Sequence, residues 1–249
     1  MTEKPDVVGS SSLVQPDYWW FTVRASLLEK FMKPEVPTGS RVLDVGSADA
    51  PSNRWMSNIC DKTAMDLDPR GLDLKNGDIV GSITDIPFEV NHFDVVSAFD
   101  VLEHIPDEKL ALDEIFRVLK PGGKLLLAVP AYDWAWSSHD DLHDHQRRYN
   151  KARAVRALKR SGFTVKRSSY AFCGVFLPFA AERIGRKIKE RKVTSYSWDE
   201  NALPEIPQVN KIQEKILYSL SKLDEKLISN HNLPFGSSLF IVAEKPQLT

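Results

Sequence analysis

Residues 41–50 read Arg-Val-Leu-Asp-Val-Gly-Ser-Ala-Asp-Ala. A short apolar run broken by one Asp, then a turn of small residues, is a buried strand feeding a tight turn. Working outward, Thr63–Asp66, Phe93–Ser97 and Lys124–Val129 have the same character. Between the last two, residues 107–119 carry Leu110, Leu112, Ile115, Val118 and Leu119 at helical spacing, and Pro121-Gly122-Gly123 supplies the stop. Ala152–Arg160 reads as a further helix. Gly162 and a strand from Val165 to about Tyr170 follow, and Ser238–Ala243 is the final strand. Strands separated by helices of this length predict an α/β fold with a doubly wound, parallel sheet. Ahead of it, Pro16–Met32 places Trp20, Val23, Leu27, Leu28 and Phe31 on one helix face, and Pro34, Pro37 and Gly39 end that helix.

One stretch interrupts the alternation. Residues 171–236 hold an apolar-then-basic segment (172–192), an extended linker (193–207) and an amphipathic helix with Ile212, Ile216, Leu220, Leu223 and Leu227. This is too little apolar sequence for a separate core, so it is read as a helical insertion within one domain spanning 16–249. Residues 1–15 are expected to be disordered. The 249 residues are 42% apolar and 27% charged, with 33 Lys and Arg against 34 Asp and Glu. That balance argues against a dedicated nucleic-acid binder. Two cysteines, Cys60 and Cys173, make no disulfide framework. No apolar run approaches the roughly 20 residues of a membrane span, and Met1–Gln15 has no signal-peptide stretch. A soluble cytoplasmic protein is expected.

In an open α/β sheet, ligands bind beyond the carboxyl ends of the strands. The turn after the first strand has one glycine, Gly46, where a dinucleotide fingerprint needs three, and it has no Gly-Lys-Ser/Thr. Asp49 would repel a phosphate placed beside it. Asp66 follows Asp44 by 22 residues, where a carboxylate accepts hydrogen bonds from ribose hydroxyls; its other reading is a helix N-cap, a role Asp68 can fill. Asp44, Asp49, Asp66 and Asp100 all fall near strand ends. Such a crevice suits a cationic ligand with a nucleoside and no phosphate.

Six pieces then occur in order: Val42-Leu-Asp-Val-Gly46, Met65-Asp-Leu-Asp-Pro69, Thr84-Asp-Ile-Pro-Phe88, Phe93-Asp-Val-Val96, Val101-Leu-Glu-His-Ile105 and Arg117-Val-Leu-Lys-Pro-Gly-Gly123. Together they resemble the class I S-adenosylmethionine-dependent methyltransferases of the broad type 11 group. The resemblance implies a Rossmann-like, seven-stranded, mostly parallel sheet with the last strand antiparallel beside the fifth. It implies S-adenosylmethionine as cofactor and methyl transfer of the EC 2.1.1 class. It places the methionine part at Asp44, Gly46 and Ala48, the ribose at Asp66, and the adenine at Leu67, Ser82 and Ile83. Phe99 and Asp100 fall at the methyl end. Ala48 and Ala50 stand where the family usually keeps glycines, and Ser82 where it usually has Asp. A narrower likeness to one bacterial subgroup covers Tyr18-Trp-Trp-Phe21 with Arg24, His139-Asp140 with His145-Gln-Arg-Arg-Tyr149, and Leu233-Pro-Phe-Gly-Ser-Ser238.

Methyl transfer needs positioning, plus a base where the acceptor is protonated. Residues 131–149 follow the fifth strand and are dense in candidates. His139 or His145 is expected as base with Asp140 orienting it; a loop knitted by His–Asp and Arg–Asp hydrogen bonds is the competing reading. Trp19, Trp20, Arg24, Arg148 and Tyr149 are the expected substrate contacts, with Trp134 and Trp136 adding to an aromatic wall. No standard zinc spacing is matched, so no metal is expected. The segment 172–192 carries Arg183, Arg186, Lys187, Lys189, Arg191 and Lys192 behind an apolar run, a pattern that suits an anionic membrane surface or a homodimer contact. The expected acceptor is an oxygen or nitrogen, with carbon open, of a small-molecule or lipid- or sugar-linked intermediate. The rivals are an NAD-type oxidoreductase and a non-catalytic cofactor-binding module.

Overall fold

The computed structural model describes residues 18–47, 50–190 and 210–247. The expected disorder of 1–15, the turn residues Ala48 and Asp49, and the linker 193–207 lie outside the described residues, as does the His139 side chain.

The described chain runs α1 (Trp19–Met32), β1 (Arg41–Val45), α2 (Ala50–Ser57), β2 (Asp61–Asp66), β3 (Ile79–Val80) and β4 (Phe93–Phe99). It continues α3 (Glu108–Val118), β5 (Leu119–Pro130), α4 (Ser138–Leu142), α5 (Lys151–Arg160) and β6 (Thr164–Ala171), then α6 (Phe176–Glu190), α7 (Lys211–Ile228) and β7 (Ser238–Glu244). The seven strands form one sheet in the order β3-β2-β1-β4-β5-β7-β6. β1 pairs in parallel with β2 and β4, β4 with β5, and β2 with β3. β7 lies antiparallel between β5 and β6. This is the doubly wound sheet with a reversed last strand that the resemblance implied. The chain winds outward from β1 to β3 and then returns to β4, so the strand order reverses between β1 and β4, and the crevice opens there.

Strand alternation divides the core into two faces. Leu125, Leu127 and Val129 of β5, with Leu239 and Ile241 of β7, pack against Leu112, Ile115 and Val118 of α3 and Ala154 and Leu158 of α5. Leu126 and Ala128, with Phe240 and Val242, face Val23, Leu27, Leu28 and Phe31 of α1, Met56 of α2 and Ile228 of α7. Helices therefore cover both faces. Asp107 caps α3 and Asn150 caps α5 through side-chain hydrogen bonds to backbone N–H groups.

Three readings change. Leu119 does not end α3 but begins β5: it pairs with Phe93 ahead of a register shift. β3 was not legible, because two residues with Val80 exposed give no period. The amphipathic α7 is turned over. Ser221, Asp224, Glu225 and Ile228 are buried, and Ile212, Ile216 and Leu223 are more than half exposed. Asp224 accepts a hydrogen bond from Gly174 N at 3.0 Å, so the backbone turn after β6 draws a polar side of the helix inward.

Candidate active site

Gly46 follows β1 with φ +70°, and its N–H donates to Met65 O at 2.8 Å. A Cβ there would meet Val101 Cγ2 at 2.1 Å, so the turn after β1 and the turn after β4 touch directly. Asp44 lies beneath them, 2% exposed. Its carboxylate accepts from Ser97 Oγ at 2.5 Å and from Asn53 Nδ2, and Lys62 Nζ stands 3.9 Å away. Asp44 thus ties β1 to β4 and α2. Asn53, Ser97 and Lys62 were not singled out in the sequence, because each looks ordinary until the fold gathers them around one carboxylate.

Asp66 ends β2 and accepts from Asp68 N at 2.9 Å. The N-cap duty falls to Asp68, which accepts from Arg70 N. Leu67 is 69% exposed, and Ile83 is buried. Ser82 Oγ engages Thr84 Oγ1 at 2.8 Å. Phe99 is buried at the end of β4, and Asp100 beyond it has φ +56°. The fully buried Arg24 of α1 holds Asp100 at 2.6 Å. Its guanidinium also lies over the rings of Trp20 and Phe240, at 5.4 and 5.8 Å. Arg24 Nε and Nη1 have no acceptor among the described residues.

Backbone strain gathers at this end of the sheet. Asp100, Tyr132 and Phe172 all have left-handed φ, at +56°, +63° and +64°, just past the carboxyl ends of β4, β5 and β6. Such residues cost of order 1–3 kcal/mol each and concentrate at functional sites. Trp20 stacks on Phe172 at 5.7 Å. Tyr132 stacks on Trp134 at 5.8 Å and on Tyr170 at 5.1 Å, with Phe176 against it at 5.7 Å. Trp134 was read as part of such a wall; Tyr132, Tyr170 and Phe176 were not, because they come from three separate segments.

The loop after β5 is knitted by the His–Asp and Arg–Asp hydrogen bonds of the competing reading. Asp140 is fully buried. It accepts from Arg148 Nε at 2.7 Å and Nη2 at 3.0 Å, from His145 Nδ1 at 2.9 Å and from Ser137 N at 2.8 Å. Burial pushes the Asp140 carboxyl up, but the hydrogen bonds from His145 and Arg148 outweigh it and hold it well below the ordinary range. Arg148 is 4% exposed and also donates to Ala131 O at 3.1 Å. The expected substrate contacts Arg148 and Tyr149 are thus both buried and hydrogen-bonded within the protein. Tyr149 is fully buried, donates to Glu108 Oε2 at 2.9 Å, and is held in its neutral form by burial and by Glu108. Trp19 is also buried.

Two residues of the turn after β4 meet this loop. His104 Nδ1 reaches His143 O at 2.8 Å, and its ring stands edge-on to that of His145 with centroids 4.7 Å apart. Burial, then His145, pushes the His104 imidazole down to about 4. Glu103 is 1% exposed, and burial with the nearby Asp100 raises its carboxyl well above the usual range. Glu103 was not singled out in the sequence; a Glu inside the apolar run 101–105 was the available signal.

A surface concavity of about 820 Å³ lies elsewhere. It runs along the amino-terminal half of the edge strand β6 and is lined by Lys151, Lys159, Lys166 and Arg167 among others, the charges that guard a sheet edge. No described helix is long and apolar enough to cross a membrane.

Fold and site together define an open α/β protein with Asp44, Asp66 and Asp100 at the carboxyl ends of β1, β2 and β4 and a glycine turn after β1. Residues 43–127 match the family model described as a methyltransferase domain. A probable S-adenosylmethionine-dependent methyltransferase of Mycolicibacterium smegmatis is 32% identical over 135 residues, covering 52% of this chain and 52% of that protein. A ubiquinone biosynthesis O-methyltransferase of Xanthomonas axonopodis is 36% identical over 105 residues, covering 37% and 44%. The solved structure of Haemonchus contortus phosphoethanolamine N-methyltransferase 2 with S-adenosyl-L-methionine superposes with a TM-score of 0.56 at 21% identity, over 98% of this chain and 62% of that one. Residues 43–127 carry a methyltransferase domain similar to that of S-adenosylmethionine-dependent methyltransferases. The chain spans about half the length of the curated relatives it matches.

Proposed function

We propose that this protein transfers a methyl group from S-adenosylmethionine to an oxygen or nitrogen, with carbon open, of a small-molecule or lipid- or sugar-linked intermediate. The observation that carries this is the switch point between β1 and β4 in a sheet ordered 3-2-1-4-5-7-6, with Asp44, Asp66 and Asp100 at the strand ends. The cofactor fits on chemistry. It carries a sulfonium and an ammonium and no phosphate, and the ends of β1, β2 and β4 supply the carboxylates Asp44, Asp66 and Asp100, which accept hydrogen bonds. When bound, it supplies an electrophilic methyl carbon.

The chain's own residues bind and orient. Asp66 takes the ribose hydroxyls, and Leu67, Ser82 and Ile83 flank the adenine. The turn at Gly46, with Asp44 beneath it and Ala48 beyond it, holds the methionine part. Phe99 and Asp100 lie at the methyl end, where Arg24 pins Asp100. The aromatic residues Trp20, Tyr132, Trp134 and Phe176 form the wall for the acceptor. His139 and His145 are the proposed bases. Asp140 holds the Nδ1 proton of His145 and leaves Nε2 for a proton in transit.

Calorimetry tests the reading: S-adenosylhomocysteine is expected to bind and NAD(H) not to. Asp66→Ala is expected to weaken that binding at least tenfold, as a lost charge-assisted pair of hydrogen bonds does. Binding of NAD(H), or an unaffected Asp66→Ala variant, rejects the site assignment. Cofactor binding without turnover across a broad acceptor panel would return the protein to a non-catalytic module.

We place the protein in the cytoplasm, as one domain over 16–249 with its insertion at 171–236. The exposed Leu177, Ile184 and Ile188 of α6 support peripheral contact with an anionic membrane through 172–192. Of the basic residues behind them, Arg183 is turned inward onto Ser137 Oγ, Lys187 onto Trp134 O and Arg186 pairs with Glu182, while the side chains of Lys189, Arg191 and Lys192 lie outside the described residues. Wild-type protein is expected to float with anionic vesicles in a density gradient, and Leu177→Ser with Arg186→Glu to sediment. Sedimentation of the wild type ends this part of the proposal. The apolar face of α7 is left to a second copy of the chain; a monomer at every micromolar concentration tested would reject that.

A further inference from the structure

We infer that Glu103, His104 and His145 form a binding site for one divalent transition metal ion, zinc foremost. One ligand atom from each of these three side chains lies within 4.8 Å of the others. The set joins two segments far apart in sequence: the turn after β4 supplies Glu103 and His104, and the loop after β5 supplies His145.

Each member is prepared as a ligand. His104 directs Nδ1 at the carbonyl of His143 at 2.8 Å, and His145 directs Nδ1 at the Asp140 carboxylate at 2.9 Å. Both acceptors are oxygens, so both Nδ1 atoms carry the proton and Nε2 is the free nitrogen of each ring. A backbone carbonyl or a carboxylate on the second ring nitrogen is the usual support for a metal-bound histidine. Arg148 clamps the Asp140 carboxylate in turn, and this fixes the ring that Asp140 orients. Glu103 is 1% exposed, and its Oε2 has no hydrogen-bond partner among the described residues. A buried carboxyl oxygen without a partner is costly, and a cation is one of the two occupants that remove the cost; the other is a proton. Two imidazoles and one carboxylate make a three-ligand set with a fourth position open, which suits zinc. Bond lengths of about 2.0–2.2 Å put tetrahedral donors roughly 3.4 Å apart, so small side-chain rotations close the present spacing.

The consequence is mechanical and chemical. A metal here would fasten the turn after β4 to the loop after β5, beside Asp100. It would also occupy Nε2 of His145 and withdraw that lone pair from acid–base use, leaving His139 as the proposed base. The inference does not require the methyl-transfer reading, because its test reads metal and not turnover.

The experiment uses the full chain, stripped with a chelator, dialysed and titrated with zinc against a chromophoric zinc indicator. A parallel sample takes cobalt(II) for its visible absorption. The expected result is about one metal per chain, a visible cobalt band, and a rise in Tm with zinc. Glu103→Gln and His145→Ala are each expected to weaken zinc binding at least tenfold, and the distant His92→Ala to leave it unchanged. Glu103→Gln is nearly isosteric, so it serves if His145→Ala does not fold. Wild-type protein with no cobalt band and no zinc-dependent Tm shift overturns the inference in favour of a protonated Glu103. Metal that persists at full affinity in Glu103→Gln overturns it equally.

Discussion

Replacing Arg148 by Met is expected to cost about 3–5 kcal/mol of stability, the usual penalty for removing one partner of a buried ion pair. Asp140 is fully buried and accepts from Arg148 Nε at 2.7 Å and Nη2 at 3.0 Å. Met restores volume and apolar contact but no charge. His145 and Ser137 remain on the carboxylate, and neither carries the fixed charge of a guanidinium. At about 2–4 °C per kcal/mol for a chain of this size, the expected fall in Tm is on the order of 10 °C. Asp140→Ala is expected to be similarly harmful, because it strands a guanidinium that is 4% exposed. The double variant should cost clearly less than the sum of the two, since the singles each leave an uncompensated charge. Thermal and denaturant unfolding check this. The result also decides what the loop is for. If Asp140 and Arg148 served the chemistry alone, Asp140→Asn would keep its Tm and lose turnover; a large drop in Tm assigns them first to holding the loop after β5.

Gly46→Ala is expected to destabilise the fold by roughly 2–4 kcal/mol and to weaken cofactor binding by more than tenfold. One part is the backbone: φ +70° is open to glycine and costs an alanine about 1 kcal/mol or more. The larger part is contact. The new Cβ would stand 2.1 Å from Val101 Cγ2, and forcing atoms into a packed site costs about 1–3 kcal/mol. Val101 follows the strained Asp100 that Arg24 anchors, so relief by moving Val101 disturbs the methyl end of the crevice. The cycle with Val101→Ala separates the parts. That second change should recover the overlap component in Gly46→Ala and leave the backbone component. Full additivity of the two substitutions would show that the contact carries no energy.

The elements that stand on one segment were legible in the chain. The apolar runs at 41–45, 93–97 and 124–129 became β1, β4 and β5, because a parallel strand buried on both faces reads as a continuous apolar run. The 3.6-residue spacing from Leu110 to Val118 became α3. Where one segment was read alone, the reading went astray. α7 shows a clean amphipathic pattern, yet its polar side is buried, because Gly174 required an acceptor that no periodicity announces.

The sequence by itself determined the doubly wound α/β sheet, since strand burial and turn composition are local properties. The tertiary structure alone decided which polar residues face a ligand and which hold the fold. Arg148, Tyr149 and Asp140 carry the same functional groups as any catalytic set, and only burial and partners distinguish them. Glu103 and His145 are 42 positions apart, and no pattern along the chain links them. Their proximity follows from β4 and β5 lying side by side with both carboxyl ends at one edge, a fact of strand pairing and not of composition.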